Sequence, residues 1–270
     1  MNTIAIVCLF TLVIHFSETL ALAMRLAGVR TRQVATSISF VNMSFLVSRM
    51  SNMLQAPLLG VIVDTAVKQG TVLVLEHNFR YIILAAFMGN VLGAFFIPTM
   101  VTVFTKGILS FERTGSIPRL IARLFKPKNI VAIIRCFRFP SIGQLQGINW
   151  RRIPHGFIYL NLFMVSVYAI GVLASLNAGA QIPDFRATAV QLSGIVNGIA
   201  TIMLVIFVDP TGAYIVDQVV HGKRKEEDAK TMVFFLVLGR IIGTLILSQL
   251  IFKGATSYIM SVTRWLVHVL

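Results

Sequence analysis

Carboxylates are scarce. The 270 residues carry 10 Asp and Glu against 24 Lys and Arg, and charged residues of both signs make up only 13%. So little charge excludes a disordered chain, which stays solvated through high charge and low hydrophobicity. It also argues against a soluble globular domain, whose charged share is about twice as large. Cysteine is nearly absent too. Cys8 and Cys136 fall near opposite membrane faces in the topology derived below, so no disulfide joins them; one reads as a buried thiol and the other as a loop thiol. There is no zinc-finger spacing, RNA-binding aromatic motif, HExxH or P-loop. These lacks leave no basis for expecting a nucleic-acid partner, a metal, a cofactor or an ATPase engine.

What remains is apolar. Hydrophobic residues make up 56% of the chain, Phe alone contributes 20, and the mean hydropathy is +0.82. Apolar segments at 3–24, 34–64, 81–105, 156–178, 188–216 and 231–252 each reach the ~20 residues that cross a bilayer. In lipid every backbone polar group needs an internal partner, so these are helices. The run Ile4–Ile14 lacks a basic stretch ahead of it and reads as a retained first span rather than a signal peptide. The fold class is an all-α integral membrane protein with six transmembrane helices.

The basic residues are shared unevenly between the two sets of loops. The 25–33 loop holds Arg25, Arg30 and Arg32; the 106–155 loop carries a long basic series from Lys106 to Arg152; the 221–230 loop holds Lys223, Arg224, Lys225 and Lys230. The opposite side has Lys68, Arg80, Arg186, Lys253 and Arg264. The positive-inside rule then places the basic loops in the cytoplasm and both termini outside. The net charge of +14 is read as loops facing anionic inner-leaflet lipids.

The chain divides into a first three-helix membrane repeat (1–110), a basic cytoplasmic loop (111–154) and a second three-helix repeat (155–270). Within the loop, Ser116 can cap a helix with Pro118 in its first turn. Ile117, Leu120, Ile121 and Leu124 then share one face, while Arg119, Arg123 and Lys126 reach headgroups. That pattern predicts an amphipathic in-plane helix on the inner leaflet, with an ordinary basic loop as the alternative. The stretch 254–270, with Trp265, is a similar piece on the outer face or an extension of span six.

The two halves resemble each other at an offset of about 150 residues. Pro57 and Ile62-Val63-Asp64 match Pro210 and Ile215-Val216-Asp217. Gly89-Asn-Val-Leu-Gly93 matches Gly239-Arg-Ile-Ile-Gly243, and Ala27-Gly28 matches Ala178-Gly179. Arg32 and Ser39 match Arg186 and Ser193. Three spans per copy invert the second relative to the first, the plan of transporters that open a site alternately to each side. A fossil repeat in a static protein is the alternative. Pro57 and Pro210 interrupt the second span of each copy. A matched pair of Pro-interrupted spans points to a binding site, while tilt plus a kink is the plainer reading.

Ionisable groups inside spans are costly and so mark function. Arg49 sits among Ser48, Ser51, Asn52 and Gln55; its guanidinium matches phosphate or carboxylate, and a structural Arg–Asp pair is the alternative. Arg240 either faces the interior or snorkels to the cytoplasmic surface. Thr11, His15, Glu18 and Arg25 share one face of span one, so His15 and Glu18 could carry a proton, or Glu18 could pair with an arginine. Asp64 and Asp217 lie at span ends, and Asp209 lies deeper. The candidate substrate contacts are thus Arg49, Asn52, Gln55, Ser48, Arg25, Arg30, Arg32 and Arg240. The candidate coupling and gating residues are His15, Glu18, Asp64, Asp209, Asp217, Pro57 and Pro210.

The stretch H-F-S-E-T-L-A-L-A-M-R-L-A-G-V-R-T-R from His15, followed by S-R-M-S-N-M-L-Q-A-P-L-L-G-V-I-V-D from Ser48, resembles the Amj family. These are the alternate lipid II flippases of bacteria, unrelated in sequence to the MurJ flippase. Length, span count and the basic central loop fit as well. The resemblance implies a bacterial cytoplasmic-membrane protein that moves undecaprenyl-pyrophosphate-linked peptidoglycan precursor from the inner to the outer leaflet, and so not an enzyme. The chemistry adds alternating access driven by membrane potential or an ion gradient. An ion-coupled small-solute transporter and a membrane-embedded lipid phosphate enzyme are the competing classes. Oligomeric state is not legible.

Overall fold

The computed structural model describes residues 3–124, 126–141, 143 and 146–269. Among these residues the chain is helical throughout, with no strand. The elements are α1 (Thr3–Ala21), α2 (Ala23–Thr31), α3 (Val34–Lys68), α4 (Val72–Thr114), α5 (Ile117–Leu124), α6 (Pro127–Ile134), α7 (His155–Gln181), α8 (Arg186–Met203), α9 (Asp209–Val220), α10 (Glu226–Ile242) and α11 (Ser248–Val269). Six stretches are long and apolar enough to cross a membrane: Thr3–Thr31, Val34–Lys68, Val72–Thr114, His155–Gln181, Pro183–Val220 and Glu226–Val269.

The spans outrun their apolar segments. Residues 25–31 and 226–230, read above as loop, are helical, because helix continues once its ladder is nucleated and no breaker intervenes. The links that remain are short: Arg32–Gln33, Gln69–Thr71 and His221–Lys225. At 1.5 Å per residue, α3 is ~52 Å long against a ~30 Å hydrocarbon core. Pro57 lies inside α3 without ending it. In the second half the matching place is a π-helical turn, Leu204–Val208, just before Asp209-Pro210 at the start of α9. A second π turn, Gly243–Leu247, joins α10 to α11. The C-terminal stretch therefore extends span six.

The two halves pack alike. In each, the first span seats on its second and third: α1 on α3 and α4, α7 on α8, α10 and α11. Hydrophobic burial does not drive association between helices in lipid, so close packing of small residues does more. At Gly89 a side chain would strike the carbonyl oxygen of Leu12 on α1. At Gly243 it would stand 2.7 Å from Ser166 Oγ and 3.2 Å from the Leu162 carbonyl oxygen on α7. Each third span thus uses its GxxxG to lie directly on its first.

Two apolar cores run through the bundle. One gathers Val7, Leu59, Ile62, Val63, Leu75, Phe79, Ile170, Leu173 and Phe252; the other gathers Leu22, Leu26, Val101, Phe157, Val208, Ile215, Met232 and Leu236. Both draw on both halves. Along α1, α4, α7 and the sixth span, the residues between these cores include buried His15, Glu18, Asn90, Ser166, Thr244 and Ser248. The buried ionisable groups His15 and Glu18 thus lie between the two cores. The fifth span is embedded least, with Ile195, Ile199, Ile202, Val205, Ile206 and Phe207 all exposed.

The basic loop does contain a helix where the Ser116 pattern predicts one, α5. Leu120 is buried in a small core with Met24, Ala27, Phe40 and Ile108. The side chains of Ile117, Ile121 and Leu124 lie outside the described set. Cys8 and Cys136 are both free thiols.

Candidate functional site

The polar middle is built from four elements. α1 supplies Thr11, His15, Glu18 and Thr19, all buried; the 4 + 3 spacing puts the first three on one face, as the sequence predicts. α3 crosses that face. Its Ser48 donates a hydrogen bond to Glu18 Oε1 at 2.7 Å, and its Gln55 Nε2 donates to Thr11 Oγ1 at 2.9 Å. From the second half, Arg240 Nη1 reaches Glu18 Oε2 at 3.0 Å. Both members of this ion pair are enclosed, at 15% and 10% side-chain exposure. Arg240 does not snorkel, because its charge is satisfied inside the bundle.

Asn90 of α4 ties the cluster together. Its Nδ2 donates to the Arg240 carbonyl at 3.3 Å and to Thr244 Oγ1 at 3.2 Å, while its Oδ1 accepts from Thr19 Oγ1 at 2.8 Å. The Arg240 carbonyl also accepts from Thr244 Oγ1 at 2.7 Å, directly at the π turn. Among the described residues, His15 is buried beside Glu18 and Asn90 with its Nδ1 unpartnered. Gln55 Oε1 is likewise buried and unpartnered.

Arg49 differs from every one of these. It is exposed, 15 residues into the 35-residue α3, and meets no carboxylate among the described residues. Asn52, one turn on, is exposed beside it. Both lie near the middle of the helix's length. Tyr168 of α7 stands within electrostatic reach of Arg49, Glu18 and Arg240 together, so Arg49 lies near the polar middle.

Three further ion pairs tie the halves at the ends of the bundle. At the basic end, Arg25 Nη2 meets Asp209 Oδ1 at 2.7 Å and Arg30 Nε meets Glu226 Oε1 at 3.5 Å. At the opposite end, Arg186 pairs with Asp64. Asp217 has a local partner, His221 Nδ1, at 3.3 Å. Arg32 is exposed and ends α2 in a left-handed conformation, φ 58°. Pro57 and Pro210 are both exposed on their helices.

The family model "Amj: Alternate to MurJ" matches residues 10–263. A relative from Bacillus subtilis (strain 168), "Lipid II flippase Amj", is 38% identical over 257 residues, covering 95% of each chain. The chain belongs to the Amj family. Its six apolar spans make this Amj-family chain a multi-pass membrane protein. No solved structure matches it.

Asn90, Thr19, Thr244 and Tyr168 were not singled out in the sequence. Asn90 lies inside the Gly89–Gly93 motif, which reads as packing alone; an amide between two close-contact glycines is the signal that could have found it. Thr19, Thr244 and Tyr168 carry no such signal, since a threonine or tyrosine in a span is unremarkable until tertiary structure sets it beside a charge.

Proposed function

We propose that this Amj-family chain is a lipid II flippase. The observation that carries the proposal is the 38% identity, over 95% of both chains, to a protein named for that activity. The substrate is a lipid with a diphosphate head and a bulky sugar-peptide. Its tail stays in the bilayer while its head crosses a polar path. Arg49, exposed and without a carboxylate, is the diphosphate anchor, since a guanidinium gives bidentate contacts to phosphate oxygens. Asn52 completes the contact. Ser48 and Gln55 are already engaged with α1 and hold α3 in register behind Arg49. Arg240 contributes through Glu18 rather than through substrate.

The basic loops face the cytoplasm and both termini lie outside, by the positive-inside rule. Arg30 and Arg32 then gather the head at the cytoplasmic mouth. The matched packing of α1 and α7 on their own repeats supports two inverted three-helix units that rock against each other. The ion pairs between halves give that motion its latches. Opening the cytoplasmic end breaks Arg25–Asp209 and Arg30–Glu226; opening the outer end breaks Asp64–Arg186. Membrane potential suffices as the drive, at ~2.3 kcal/mol per charge per 100 mV and about twice that for a dianionic head. α5 lies along the inner leaflet with Leu120 anchoring it to the bundle.

The test is outer-leaflet lipid II in bacteria whose other flippase is inactivated, with this chain supplied at matched membrane abundance. Wild type restores transport and Arg49→Ala does not. Restoration by both removes Arg49 as anchor. Failure of well-folded wild type overturns the lipid II assignment.

A further inference from the structure

A second basic feature lies outside this path, where the central loop folds back along α4. The irregular stretch after α6 is fixed to that helix. The backbone N–H of Arg138 donates to Thr99 Oγ1 at 3.0 Å, and Thr99 Oγ1 donates to the Arg138 carbonyl at 3.2 Å. The rings of Phe137 and Phe139 pack on Phe95, at 6.3 and 6.0 Å between centroids, and Phe137 packs on Phe96 at 6.0 Å. Cys136 is buried and accepts a hydrogen bond from Lys106 Nζ at 3.1 Å.

Between α4 and α6 this arrangement leaves an open cleft of about 620 Å³, lined by Lys106, Pro127, Lys128, Val131, Ala132 and Arg135. Three cations share it, and none meets a carboxylate among the described residues. Like charges gathered in one cleft repel, and a bound anion removes that repulsion. The remaining walls are apolar. Beyond them Ile134 and Phe139 stand 66% and 70% exposed, alongside a span. Exposed apolar side chains next to cations are the composition of an element that sits in the headgroup region.

The geometry points to a site for a lipid-borne phosphate. Lys128, Arg135 and Lys106 hold the phosphate oxygens; Pro127, Val131 and Ala132 lie along the hydrocarbon near the head. The phosphate can come from a glycerophospholipid of the bilayer or from a prenyl diphosphate. The site stands apart from Arg49, so it does not rest on the transport path proposed above.

The experiment uses the full-length purified chain in neutral detergent, with binding read by native mass spectrometry. The probes are phosphatidylglycerol, farnesyl diphosphate, zwitterionic phosphatidylcholine and inorganic pyrophosphate. Phosphatidylglycerol or farnesyl diphosphate binds saturably, and phosphatidylcholine does not. Whichever of the two binds more tightly names the source. Lys128→Gln with Arg135→Gln weakens that binding by roughly tenfold or more, the loss expected for charge-assisted hydrogen bonds. Lys223→Gln with Lys225→Gln removes the same charge from a second cleft, lined by Arg152, Lys223, Arg224, Lys225 and Asp228, and leaves binding unchanged. Equal binding by the first pair of substitutions, or equal loss in both pairs, overturns the site. So does pyrophosphate binding as tightly as either lipid, which makes the cleft a reader of free phosphate.

Discussion

Replacing Arg240 with methionine tests the buried ion pair at the centre of the bundle. The substitution replaces the aliphatic stem but not the guanidinium, and leaves Glu18 with only Ser48 donating to it, at 10% exposure. Breaking a buried pair by removing one partner costs about 3–5 kcal/mol, because the survivor keeps its desolvation penalty. A lone carboxylate can shed its charge by taking up a proton. At pH 7 that costs about 3.7 kcal/mol, from 1.36 kcal/mol per pH unit above an ordinary value of ~4.3, so proton uptake caps the charge penalty near that figure. At pH 5 the ceiling falls to about 1 kcal/mol. Glu18→Gln behaves differently. It strands Arg240, which cannot give up its proton, so its cost of about 3 kcal/mol does not shrink on acidification. The double variant removes both charges and recovers most of the loss. The assay is unfolding by steric trapping in bicelles at pH 7 and pH 5, across the four members of the cycle. The reasoning fails if the two single losses simply add, or if acid relieves Glu18→Gln as much as Arg240→Met.

Two further outcomes follow from packing and charge. Gly89→Ala drives a methyl into the Leu12 carbonyl and destabilises by about 1–3 kcal/mol, as overpacking does. Gly60→Ala, with nothing within 4 Å, is neutral or stabilising by up to about 1 kcal/mol; the same unfolding assay compares them. Asp64→Arg leaves two cations facing each other at one end of the bundle and lowers transport, and adding Arg186→Asp restores it. Failure of the swap to restore transport, at equal abundance, removes the pair as a latch between halves.

Much of the bundle is written in local chemistry. Runs of apolar residues fix six helices, since nothing else satisfies a backbone in lipid. The GxxxG motifs fix which faces lie close, since no side chain fits there. The face shared by Thr11, His15 and Glu18 follows from helical periodicity alone. Helix ends are less legible, because hydropathy marks the membrane and not the helix; α2 and the last turns of α4 continue well past the apolar run. The sequence offers Glu18 an arginine partner but does not say which one, and the other pairings were not legible. Arg49, Arg240 and Arg25 are the same residue type in similar polar company, and the sequence offers each as a ligand for phosphate. Only the tertiary structure gives Arg240 to Glu18, 222 residues away, and Arg25 to Asp209, 184 residues away, leaving Arg49 exposed without a counter-charge. Coulombic partners depend on distance in space, which periodicity along one helix does not encode.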